Sequence, residues 1–325
     1  MIDSDHSFFY MCYAGMAVAL IVSYLKIKST EGVTITTKEF KKFQYGFLGG
    51  YGTIITAELI AVGSFFFIMM NLALDIEQIT KVYITTIVST TVWGILIEIF
   101  DIGSRRTKCA LSALLYGLSM FFLYFGGHYE MVLLSRVVFG AASALHHSSF
   151  EAYIIHQHTI LGFPDDWLSQ TFSMLPHVMA IAAIASGPIG QLSATVGPSG
   201  CITVIIILSL VTVGYILVNW DKDTNPPRFM YSNFLYTMTN TISSIKTNAT
   251  IRNIILVGAF FEASVIIFSF YWAPWLKFES PGSPGFGALH EVVSFLPYEI
   301  IFSCYICASM LGNYLFQMYS AGGDE

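Results

Sequence analysis

The chain has 325 residues, 55% of them hydrophobic and only 11% charged, with a mean hydropathy of +0.65. Soluble domains carry about 25% charged residues, so a water-soluble globular domain is excluded. The net charge of −6 leaves no strongly basic surface for nucleic acid. What remains is a polytopic membrane protein, and its aromatic residues, many near the ends of apolar segments, suit the membrane interfaces.

Taken in order, the first apolar segment is 8–25, close to the minimum length for a span. The acidic MIDSDHS before it lacks the basic start of a cleaved signal peptide, so it reads as an uncleaved helix with its N-terminus outside. Lys26, Lys28, Lys38, Lys41 and Lys42 follow in a basic, hence cytoplasmic, loop. The second span, about 47–72, opens on Gly46, Gly49, Gly50 and Gly52 and contains Glu58. The third is about 82–100, and the turn DIGSRRTK, with Asp101, Arg105, Arg106 and Lys108, leads into the fourth at about 109–126. The fifth, 131–154, is the most polar. The sixth, about 167–191, contains Pro176 and Pro188, where kinks are expected, and the seventh is about 201–220. Residues 221–250 are a polar segment without strong periodicity, and they include the sequon Asn248–Ala249–Thr250. The eighth span, about 252–276, contains Glu262, and the ninth is about 297–318. Of fifteen Lys and Arg residues, twelve fall in loops on one side, which places the C-terminus in the cytoplasm and the N-terminus outside.

The fifth segment carries the chemistry. Arg136, His146, His147 and Glu151 sit among apolar residues, and each charge at bilayer depth costs roughly 2.5–3.5 kcal/mol. Such residues face a bundle interior or a wet path. On a helix, Ser143, His147 and Glu151 share one face, while Gly140 and Ala144 continue a small-residue row from Arg136 that admits a close helix neighbour. Arg136 either binds an oxyanion with its forked donors or neutralises a nearby carboxylate. His146 and His147 either pack or move protons. A metal site of His146 and His147 with Glu151, His156 and His158 is the other idea, but the remaining histidines, His6, His128, His177 and His290, are scattered, and no metal or cofactor is expected. Cys304 and Cys307 form a C-x-x-C within an apolar run, read as small packing residues. No nucleophile and base converge by spacing, so an enzyme is not expected.

Asp101 to Arg106 resembles the D-x-x-G-R-[RK] turn of the major facilitator superfamily, and Arg136, Gly140 and Ala144 resemble its R-x-x-x-G-x-x-x-[GA] helix. The stretches SRVVFGAASALHHSSFEAYIIHQH, GFPDDWLSQTF, FKKFQYGF, LGGYGTIITAEL, VGAFFEASVIIFSFYWAPWL and ASMLGNYL resemble the molybdate-anion transporter family within that superfamily, in order, over most of 40–319. Ser104 stands where the superfamily turn usually has glycine.

The resemblance implies an all-α major-facilitator-type bundle: one extra N-terminal helix followed by core helices one to eight, four short of a full core. The division expected is 1–42 for the extra helix and basic loop, 43–220 for the six-helix first half, 221–250 for a cytoplasmic linker, and 251–325 for an incomplete second half. It implies uptake of molybdate or a similar oxyanion by alternating access, at the plasma membrane. Glu58, Arg136, His147 and Glu262 would serve substrate or coupling, and Asp101, Arg105, Arg106 and Glu151 would gate the inner side. Lipid surrounds the bundle, and a second copy or a partner chain would complete it. Two alternatives stay open: a facilitator of another small solute, such as an organic anion or sugar, and a non-transporting scaffold or truncated fragment.

Overall fold

The computed structural model describes residues 4–30, 36–72, 74–100, 103–125, 128–222, 231–278 and 296–321. Its helices are α1 (Ser4–Thr30), α2 (Lys38–Asn71), α3 (Ile76–Phe100), α4 (Arg105–Tyr124), α5 (Tyr129–Ile160), α6 (Asp165–Ala194), α7 (Pro198–Asn219), α8 (Tyr231–Thr247), α9 (Ala249–Phe278) and, last, α10 (Tyr298–Ala321). Among the described residues there is no strand. Eight of these helices are long and apolar enough to cross a membrane. α5, the fifth span expected from the sequence, is not among these eight. Its 32 residues extend about 48 Å, but its charged and polar residues lower its hydropathy. The chain is an all-α, multi-pass membrane protein.

α2 is the central helix. Phe40, Phe47, Ile54, Ala57, Ile60, Ser64, Phe65, Ile68 and Met69 are buried along its length, against α6 and α7. α5 packs between α3 and α4, and α4 also packs on α7. The small-residue row on α5 performs as expected. Gly140 lies against α3, where an added Cβ would stand 2.7 Å from the Thr90 backbone nitrogen, and Ser89 Oγ donates to the Val137 carbonyl at 2.9 Å. Ala144 is buried one turn on.

α10 runs antiparallel to α6, and α1 lies against both. His177 Nδ1 and Tyr314 Oη are 2.8 Å apart, Tyr24 meets the His177 ring edge-on, and Tyr13 Oη donates to the Ile184 carbonyl. α1 is thus held to both α6 and α10.

Two local signals were under-read in the sequence. Ser104, the departure from the superfamily glycine, is the N-cap of α4, with Thr107 N donating to its Oγ at 3.2 Å. The residue before it, Gly103, takes the left-handed conformation at φ +77°. The polar segment expected to be an irregular linker contains α8. Asn248 then caps α9, its Oδ1 accepting from Thr250 N at 3.0 Å. The sequon asparagine is therefore a helix cap. The N-terminal part of α9 is exposed, and its other end packs through Phe270 on Tyr83 of α3 (4.8 Å) and Trp272 on Phe302 of α10 (5.4 Å).

Candidate functional site

A cavity of about 170 Å³ lies where α2, α3, α4, α5 and α9 meet, lined by Phe65, Tyr83, Tyr116, Arg136, Phe139 and Ser269 among others. Arg136 is the one charge in its lining. It is 3% exposed, with its guanidinium carbon 4.7 Å from the Phe65 ring centre and 5.0 Å from that of Phe139. Two desolvated cation–π contacts of this kind contribute roughly 2 kcal/mol each at most, less than the cost of burying a bare cation.

The hydrogen bonds of Arg136 leave it open. One Nη donates to Ser135 Oγ at 3.0 Å, and Nε has no partner. Among the described residues no carboxylate lies within ion-pair distance of it. The alternative role, neutralising a neighbouring acid, thus finds no acid among them. Tyr116 Oη, across the same cavity, is buried and also unpartnered. Two orphaned donors beside a cavity are what a buried oxyanion would satisfy.

Glu58 lies two turns away along α2, toward the end of the bundle that carries Lys38, Lys41, Lys42, Arg105 and Arg106, called here the basic end. Its Oε2 is 4.0 Å from His146 Nε2. The His146 ring packs against Tyr51 (6.1 Å) and Phe150 (4.7 Å). Glu262 is exposed on α9 and does not line the cavity, although Ile266 and Ser269 do. Residues 262, 266 and 269 share a helix face, which puts Glu262 one turn nearer the basic end.

Of the residues singled out in the sequence, then, Arg136 reaches the cavity, Glu58 and Glu262 lie outside its lining, and the histidine beside Glu58 is His146. His147 is exposed. At the short turn, Arg106 is buried and donates to the Leu217 carbonyl at the end of α7, Arg105 is half-buried, and Glu151 is exposed. Asp101 lies outside the described residues. Sequence reasoning missed Tyr83 and Tyr116, because an aromatic in a span carries no signal of what it faces. It also missed Glu299, a buried acid at the start of the last span. Cys304 and Cys307 are free thiols, the second buried.

A family model described as "Sugar-transporters, 12 TM" matches residues 8–321. The chain belongs to this transporter family. A molybdate-anion transporter of Xenopus tropicalis is 25% identical over 298 residues, covering 89% of this chain and 61% of the relative. One from Danio rerio is 23% identical over 336 residues, covering 95% and 66%; one from Xenopus laevis is 25% identical over 287 residues, covering 86% and 58%. The chain spans less than two thirds of the length of these relatives. The resemblance to molybdate-anion transporters read from the motifs is borne out.

Two of those motifs meet in space. FKKFQYGF and GFPDDWLSQTF form one aromatic cluster at the basic end, with Phe40 packed on Phe163 (5.2 Å) and Trp167 (4.9 Å). Gln44 Nε2 donates to Thr171 Oγ1 at 3.2 Å, and His158 Nε2 is 2.9 Å from the Pro164 carbonyl. This cluster fastens the N-terminus of α2 to the α5–α6 turn.

Proposed function

We propose that the chain moves an oxyanion of the molybdate class across a membrane by alternating access. The observation that carries this is Arg136: a buried guanidinium with an unpartnered Nε, facing a cavity shared with the unpartnered Tyr116 hydroxyl. The names of the relatives support molybdate as the anion.

In this reading the substrate sits against Arg136 and Tyr116 and leaves toward the basic end past Glu58, His146 and Glu262. His147, exposed on the next position of α5, belongs to the wall of that route. Arg106, fastened to the end of α7, holds the inner side together with Asp101, Arg105 and Glu151. Residues 43–220 form the first half, 221–250 the linker and 251–325 the beginning of the second half. The basic end faces the cytoplasm of a cell whose plasma membrane holds the protein. A further polypeptide segment or a second copy covers the exposed part of α9.

A second reading has a specific basis. The family description names sugars, and the cavity is walled by Phe65, Tyr83, Tyr116 and Phe139, whose faces suit a sugar ring. Competition separates the two. Binding of labelled molybdate to the purified chain in lipid should be displaced by tungstate and sulfate and ignored by hexoses. Displacement by hexoses with no effect of tungstate would replace the anion reading by the sugar reading.

A further inference from the structure

Glu299 lies outside the site described above. It stands in the first turn of α10, at the end of the bundle opposite the basic one, and is 4% exposed. Its carboxyl group is wedged between α2 and α6. A Cβ added at Gly190 would lie 2.7 Å from Oε2, and one added at Gly63 would lie 3.1 Å from Cδ. One turn further, Ser303 donates to the Ala183 carbonyl, and a Cβ at Gly187 would lie 2.8 Å from that of Ser303. The second half of the chain therefore closes on the first through glycine contacts, with an acid at their outer edge.

The hydrogen bonding fixes the form of that acid. Among the described residues no Lys, Arg or His is within ion-pair distance of it. Oε1 has no hydrogen-bond partner. The hydroxyl next to Gly63, that of Ser64, is engaged on the Ile60 carbonyl at 2.6 Å. Among the described residues no side chain donates to the buried Oε1, so nothing there compensates a negative charge. The other groups packed on it offer no charge: Gly63 on α2 and Gly190 on α6. On α7 the thiol Cys201 lies 3.5 Å from Ser193 Oγ, which donates to the Gly190 carbonyl. Tyr298 precedes it on its own helix. An ionised carboxylate in this setting would be buried without compensation.

We infer that Glu299 is a proton-binding latch between the two halves of the chain, taking up one proton as α10 closes on α2 and α6 and giving it up as they part. The step is carboxylate plus proton to carboxylic acid, with no other reactant. It rests on the alternating-access reading for its role in transport, since that reading requires these halves to separate. Closure linked to one proton shifts about tenfold per pH unit once the open form is ionised.

The test uses the full chain in liposomes across a pH series. The first readout is the adduct that dicyclohexylcarbodiimide forms with buried protonated carboxyl groups, located at Glu299 by peptide mass spectrometry. The second is maleimide labelling of native Cys201, buried against Ser193, whose hydroxyl bonds the Gly190 carbonyl that Glu299 packs on, taken as a ratio to Cys109, buried on α4. The adduct should fall, and the Cys201 ratio should rise about tenfold per pH unit, over one and the same interval; in Glu299→Gln the ratio should stay flat. A flat ratio in the wild type, the same curve in Glu299→Gln, or no adduct at any pH would overturn the latch. If Glu299→Gln does not fold, the wild-type adduct and ratio decide alone. Neither readout needs a substrate, so failure of the molybdate assignment would leave this result standing.

Discussion

Replacing Gly140 with alanine sets two effects of opposite sign against each other. Alanine in a helix interior is worth roughly 0.5–1 kcal/mol over glycine. At Gly140 the added Cβ would stand 2.6 Å from Ser89 Cβ and 2.7 Å from Thr90 N, and the second of these is backbone that cannot rotate away. Overpacking of that kind costs typically 1–3 kcal/mol. Pushing α3 away also strains the Ser89–Val137 hydrogen bond, worth about 1 kcal/mol. The net is a destabilisation of about 1–3 kcal/mol, which in a chain of this size lowers the melting temperature by several degrees. Gly214 on α7 has no atom within 4 Å of an added Cβ, so Gly214→Ala should raise it by a degree or two. Thermal unfolding of both variants in the same detergent, read by loss of the monodisperse peak, measures the contrast. A Gly140→Ala protein that melts at or above the wild type would refute the close α3–α5 contact.

Other outcomes follow from the same geometry. Ser104→Ala should cost about 1 kcal/mol through the lost α4 cap, whereas Ser104→Gly should cost only a few tenths, as thermal unfolding would register. Phe40→Ala, which empties the centre of the aromatic cluster at the basic end, should cost about 3–5 kcal/mol and reduce the yield of folded protein. Tyr116→Phe removes one unpartnered hydroxyl beside the cavity and should weaken molybdate binding about tenfold with little change in melting, corresponding to one hydrogen bond of about 1.5 kcal/mol to a charged ligand. In a double-mutant cycle, Glu58→Gln and His146→Gln should be non-additive in uptake, because the pair is at ion-pair distance; additive losses would separate them.

The spans were legible because bilayer thickness fixes their length and composition. The ninth was expected at about 297–318, and α10 runs Tyr298–Ala321. The close approach at Gly140 was legible too, since a small-residue row has one structural use. α8 was not, because a polar helix lying outside the apolar core lacks the hydropathy that marked the others. The choice between His146 and His147 depended on which neighbour stood across the helix, and composition says nothing about that. Glu299 was passed over because an acid at a span's edge looks like an ordinary boundary residue. Only the glycines of α2 and α6, far away in the chain, bury it. Arg136 was identified as a buried cation from the sequence, but its lack of an acidic partner needed the packed helices.

The most direct test of the anion site is uptake of labelled molybdate into liposomes holding the wild type, Arg136→Lys or Arg136→Gln. Removing the charge and its open donor costs roughly 1.5–3 kcal/mol of anion binding, which is about ten- to a hundredfold. Arg136→Gln should therefore fall by that factor at limiting substrate. Arg136→Lys should keep part of the activity, because the charge remains and the fork is lost. Undiminished uptake by a folded Arg136→Gln protein would contradict the account.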